Sequence, residues 1–102
     1  MDKIVFITGA SSGIGAGCAR KFASQGASLI LNARNVNKLS ALKEELEKQY
    51  GAKIYLLPFD VRDRKAATSA LESLPKEWQS IDILVNNAGL VIGTDKEQED
   101  RK

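Results

Sequence analysis

The chain contains no histidine, a single cysteine and only two prolines, and aromatic side chains make up 6% of it. Without histidine there is no imidazole general base and no histidine metal ligand, which excludes Ser-His-Asp hydrolase triads and most zinc sites. No metal site is expected. The lone Cys18 cannot form an internal disulfide, and the N-terminus lacks the charged, apolar and cleavage-site order of a signal peptide; both point to the cytoplasm or another reducing compartment. No apolar run approaches the roughly 18 residues of a membrane span, and the longest runs, such as Ile4 to Ile7, have strand length. Basic residues number 15 against 13 acidic, a net charge of +2. No basic run exceeds a pair such as Arg20-Lys21, so the electrostatic footprint of a nucleic-acid binder is missing.

What remains is 102 residues, 43% hydrophobic and 27% charged, the composition of one globular domain. Ile4-Val-Phe-Ile-Thr8 is a continuous β-branched and aromatic run closed by Gly9, and it reads as a strand buried on both faces. From Gly13 the pattern turns helical, with Ile14, Cys18 and Phe22 four apart and Gly26 as the stop. Ser28 to Ala33 reads as a second strand. Leu39, Leu42 and Leu46 then mark the buried stripe of a second helix, with Glu44 and Lys48 as an i,i+4 pair on its solvent side. Lys53 to Phe59 reads as a third strand, in which Pro58 removes a ladder donor and so places the strand at a sheet edge or marks its end. Ala67, Ala70, Leu71 and Leu74 set a third helix from about Asp63 to Leu74, and Ile81 to Asn86 a fourth strand. Strands alternating with helices through short turns imply parallel pairing and right-handed crossovers, an open α/β sheet with strand order 3-2-1-4 and a crevice between strands one and four. Seven of the nine residues from Thr94 to Lys102 are charged and none is apolar. That stretch is expected to be a disordered tail after a domain spanning 1–93.

The candidate chemistry lies at the strand ends. Thr8-Gly9-Ala10-Ser11-Ser12-Gly13-Ile14-Gly15 sits between a buried strand and a helix start, the context a phosphate-binding loop requires. In that reading Gly9 permits the turn, Gly13 lets a pyrophosphate approach the backbone, and Gly15 lets the helix pack closely. The helix N-terminus supplies free N–H groups and Ser11 and Ser12 add hydroxyls. A turn using glycine for geometry alone is the competing reading. At the end of the second strand, Asn32-Ala33-Arg34-Asn35 offers no carboxylate for a free ribose 2′-hydroxyl, while the Arg34 guanidinium suits a 2′-phosphate. Such charge-assisted hydrogen bonds contribute roughly 1.5–3 kcal/mol, which favours NADP over NAD. Asp60 is placed either to accept from an adenine amino group or to cap the third helix. Asn87, after the fourth strand, is the better ligand candidate of its pair, and Asn86 the better support for the sheet. Cys18 and Trp78 are read as packing residues.

These residues resemble the short-chain dehydrogenase/reductase family, whose members carry Thr-Gly-x-x-x-Gly-x-Gly after strand one and Asn-Asn-Ala-Gly after strand four. Both motifs are complete here, at Thr8 to Gly15 and Asn86 to Gly89. The stretch from Leu74 to Leu90 looks like the NADP-dependent branch that oxidises 3-hydroxy acids such as serine. The resemblance implies a Rossmann-type sheet with helices on both faces. It also implies NADP contacts at Gly9, Ser11, Ser12, Gly13, Ile14, Gly15, Arg34, Asp60, Val61 and Asn87. The branch often has a second arginine after the first; here that position is Asn35, which implies a weaker 2′-phosphate clamp.

Family catalysis depends on a Tyr-x-x-x-Lys pair, a serine and an asparagine, all of which follow strand four. Neither Tyr50 nor Tyr55 has a lysine four residues later, so no residue here is expected to be catalytic. The sequence therefore resembles the family's N-terminal part, truncated after the fourth strand. Its small hydroxy or carbonyl substrate is implied only where the C-terminal half exists. A sheet ending there would turn the fourth strand into an edge presenting Ile81, Ile83 and Val85, a place for self-association. Two functions remain in view: the cofactor half of an NADP-dependent oxidoreductase, and a nucleotide-binding module or remnant without catalysis.

Overall fold

The computed structural model describes residues 2–90. The charged stretch 94–102, and residues 91–93 of the expected domain, lie outside the described residues. Four strands, β1 (Ile4–Thr8), β2 (Ser28–Leu31), β3 (Ile54–Leu56) and β4 (Ile83–Asn86), alternate with α1 (Gly13–Ser24), α2 (Val36–Tyr50) and α3 (Arg64–Glu72). They pair in parallel in the order β3-β2-β1-β4. This is the expected Rossmann-type order, and β3, the strand followed by Pro58, lies at one edge. A short 3₁₀ turn at Lys76–Trp78, which the sequence pattern did not reveal, precedes β4.

Strand alternation divides the core into two layers. Val5, Leu29, Ile54 and Ile83 share a register row, and Ile7, Leu31, Leu56 and Val85 share the next on the same side. That side packs against Ala16, Ala19 and Ala23 of α1 and Leu39, Leu42 and Leu46 of α2. The alternate row, Phe6, Ile30 and Tyr55, meets Ala67 of α3, Leu74 and the buried Trp78 on the opposite face. Helices therefore cover both faces. The two layers bury β1 and β2 from both sides, as their continuous apolar runs require.

The helix ends follow local chemistry. Ser12, Asn35 and Asp63 cap α1, α2 and α3, each side chain accepting from the backbone N–H three residues on. The cap of α3 is thus Asp63, which removes the capping alternative for Asp60. Arg20 of α1 holds Glu45 of α2 through two hydrogen bonds of 2.7 and 3.2 Å. The i,i+4 ion pair on α2 is Lys43 to Glu47, one residue back from the expected Glu44 and Lys48.

Two expectations about apolar surface change. Ile14, placed by its spacing on the same stripe as Cys18 and Phe22, is 73% exposed, because the small residues of α1 form its buried side. Along β4, Ile83 and Val85 are partly buried against the α1 and α2 layer, and Ile81 against the other layer. The exposed residue is Leu84, at 45%, in the row of Phe6 where nothing among the described residues covers it.

Candidate cofactor site

The carboxyl ends of β1, β2 and β4 converge on the glycine-rich turn. Gly9 adopts φ +62°, and a Cβ there would stand 2.9 Å from Asn87 Nδ2 and 3.2 Å from the Ala88 Cβ. Only glycine satisfies both the left-handed backbone and the close approach. Gly15 is held by packing instead, since a Cβ on it would fall 2.1 Å from the Gly9 carbonyl oxygen. Gly13 differs from both: a Cβ would meet nothing within 4 Å. Among the described residues nothing packs against this position, and the space beside it is open.

Side chains lock this turn from three directions. Ser12 donates its hydroxyl proton to the Gly9 carbonyl at 2.9 Å and accepts from the Gly15 N–H at 3.2 Å. From the far end of the chain, Asn87 donates through Nδ2 to Ser12 Oγ at 2.9 Å and to the Gly9 carbonyl at 3.2 Å. Thr8, fully buried, donates to Asn86 Oδ1 and accepts from the Ala88 N–H, both at 3.0 Å. Asn86 also closes the turn to Leu90, accepting from its N–H at 2.7 Å and donating to its carbonyl at 2.9 Å. Asn86 is therefore a support residue, and the amide nitrogen of Asn87 is engaged in the same work. Ser12 gives its proton to the turn, and Ser11, half-buried and without a side-chain partner among the described residues, is the free hydroxyl.

An open groove of about 360 Å³ begins at this turn. Of the expected contacts, Gly9, Ser11, Ser12, Arg34, Asp60 and Val61 line it together, and Gly13, Ile14, Gly15 and Asn87 do not. Asn35 stands on an adjoining groove with Ser11, Arg34 and Lys38. The amides of Gly13 and Ile14 are the first two of α1 and have no acceptor within the helix. No acidic residue occupies the first turn of α1, so its positive end is uncompensated. Ala33, Phe59, Val61 and Ala88 give the groove an apolar lining.

Charge at the other end is arranged around Asp60. Its carboxylate accepts from the Arg62 backbone N–H at 2.9 Å and from the Arg62 guanidinium at 2.8 to 3.3 Å. Arg34 Nη1 lies 3.9 Å away. The Arg62 side-chain and backbone hydrogen bonds hold the Asp60 carboxyl down at about 2. Arg34 remains 68% exposed.

Three residues of this region escaped the sequence reading. Asn32, 1% exposed, donates to the carbonyls of Leu57 at 3.1 Å and Phe59 at 3.1 Å, and so positions the chain leading from β3 to Asp60. A polar residue closing the run Leu29-Ile-Leu was its signal. Arg62 and Lys38 had none beyond their charge.

A parallel sheet of this order, with a glycine-rich turn opening at its carboxyl edge, defines a Rossmann-type α/β fold. A family model described as short chain dehydrogenase matches residues 3–102, and the chain belongs to that family. It is similar to the NADP-dependent 3-hydroxy acid dehydrogenase of Schizosaccharomyces pombe, 46% identical over 95 residues, covering 92% of this chain and 37% of that protein. A probable NADP-dependent dehydrogenase of Dichelobacter nodosus is 45% identical over 98 residues, covering 96% of this chain and 89% of that one. Among solved structures, L-sorbose reductase of Gluconobacter frateurii, complexed with NADPH and L-sorbose, superposes with a TM-score of 0.80 at 38% identity, covering 86% of this chain and 34% of that chain. Apart from the Dichelobacter protein, the chain spans little more than a third of these relatives.

Proposed function

We propose that residues 1–93 form the NADP-binding half of a short-chain oxidoreductase that moves hydride between NADP(H) and a small hydroxy or carbonyl compound, a 3-hydroxy acid in particular. The observation that carries the reading is Arg34, which stands on the same groove as the glycine-rich turn, with no carboxylate between Asn32 and Asn35. Open space at Gly13 and the uncompensated start of α1 fit a dinucleotide.

In this reading the Gly13 and Ile14 amides and the Ser11 hydroxyl hold the pyrophosphate. The apolar lining of Ala33, Phe59 and Val61 receives the adenine, whose amino group shares the Asp60 carboxylate with Arg62. Arg34 pairs with the 2′-phosphate, and the Asn87 carbonyl oxygen accepts from a ribose hydroxyl. When bound, the nicotinamide supplies or takes the hydride. No described residue is given a step on the substrate, since Tyr50 and Tyr55 are followed four residues later by Ile54 and Phe59. That same feature favours a second reading, a nucleotide-binding module that does not itself catalyse. The free thiol of Cys18 suits a reducing compartment such as the cytoplasm, and self-association is assigned to the side of β4 that no described strand pairs.

Titration calorimetry of the chain with NADP+ and NAD+ tests the cofactor reading. The expected result is tighter binding of NADP+; equal affinity or none overturns it. Turnover of 3-hydroxy acids by this chain, followed at the reduced-nicotinamide absorbance band, would contradict the reading that gives no described residue a step on the substrate.

A further inference from the structure

We propose that Lys38 is the second cation of the 2′-phosphate subsite and a determinant of the preference for NADP over NAD. The inference rests on the cofactor reading above and adds to it a residue that no motif singles out. Asn35, directly after Arg34, brings no charge to the opening. Its side-chain oxygen is already engaged, accepting from the Lys38 N–H at 3.1 Å to cap α2. The charge is therefore missing from position 35, and the structure supplies one three residues later.

Lys38 occupies the first turn of α2, and a helical Cβ tilts toward the helix N-terminus, which leads its stem back over the turn carrying Arg34. The result is an open groove of about 470 Å³ lined by Ser11, Arg34, Asn35 and Lys38, adjoining the cofactor groove along Ser11 and Arg34. No acid lines it. The acid that shares a neighbouring groove with Lys38 is Glu45, whose carboxylate is held by Arg20 at 2.7 Å. Among the described residues Lys38 has no ion pair, and Arg34 has only the 3.9 Å approach to Asp60, which Arg62 already neutralises. Two exposed cations and a free hydroxyl thus face one opening without a counter-charge, which matches a doubly charged monoester phosphate.

The test compares NADP+ and NAD+ affinities of the full chain by calorimetry for wild type, Arg34→Ala, Lys38→Met and Lys38→Arg. Lys38→Met is expected to weaken NADP+ binding about fivefold and leave NAD+ binding unchanged. Lys38→Arg is expected to retain the preference, and both substitutions, at an exposed position, to leave the melting temperature in place. Titration with 2′,5′-ADP against 5′-ADP should show the same loss on the 2′-phosphorylated ligand alone. An unchanged NADP+ to NAD+ ratio in Lys38→Met, with a ratio that falls in Arg34→Ala, overturns the role of Lys38 and leaves the cofactor reading intact. Equal losses for the two cofactors in Lys38→Met also overturn it, by assigning the residue to the helix rather than to the phosphate. A wild-type chain that shows no preference, or binds neither cofactor, overturns both.

Discussion

The two ends of the cofactor groove are built on opposite principles. At the glycine-rich turn nearly every polar side chain is occupied within the protein: Ser12, Asn86, Asn87 and Thr8 bind one another and the backbone. At the β2 to α2 junction, Arg34 and Lys38 are exposed and face open space. The first end is shaped by backbone geometry and offers amides, which any dinucleotide pyrophosphate satisfies. The second is shaped by charge, and in the proposed reading it is the end that tells phosphates apart. The proposed function thus assigns affinity for a dinucleotide and choice of dinucleotide to different elements, and substitutions should separate them.

The largest effect is expected at the crowded end. Gly15→Ala places a methyl 2.1 Å from a backbone oxygen and should destabilise the fold by about 3 kcal/mol, read as a lower midpoint in chemical denaturation. An unaltered midpoint would show that the turn is looser than its contacts indicate. At the charged end, Arg34→Ala should weaken NADP+ binding about tenfold while leaving the denaturation midpoint and NAD+ affinity unchanged. Equal losses for both cofactors would dissolve the division of labour.

Gly13→Ala sharpens the contrast within a single motif. With nothing within 4 Å of the added methyl, folding stability should stay within about 0.5 kcal/mol while both cofactors bind more weakly. Unchanged binding would make Gly13 a plain turn residue. The smallest effect is electrostatic. Asp60 is held near 2 in the fold against an ordinary value of 3.8. Because its folded value is the lower one, its contribution is present above 3.8 and is lost as pH falls toward 2. A carboxyl carbon titration by NMR should place its midpoint near 2, and a midpoint near 3.8 would show that the Arg62 contact is absent in solution.

Much of this organisation is legible in the sequence because it rests on local patterns. The runs Ile4 to Thr8 and Ser28 to Leu31, the stripe Leu39, Leu42 and Leu46, and the spacing of Gly9, Gly13 and Gly15 each announce their element. What the sequence hides is partnership at long range. Asn87 reaches the turn across 75 residues to Ser12, and Asn32 crosses 27 residues to the Phe59 carbonyl. Asp60 exchanges a capping role for a bidentate arginine, a choice made by the geometry of the loop and not by residue type. The exposure of Ile14 follows from α1 burying its alanines, since small residues let the helix approach the sheet and leave the larger side chain outside.

If a nucleotide bridges these two ends, amide shift mapping of the labelled chain with NADP+ will register it at both. The largest changes are expected at the Gly13 and Ile14 amides together with the Arg34 side chain, with little change at Arg34 when NAD+ replaces NADP+. Changes confined to α3, or none at the glycine-rich turn, would contradict it.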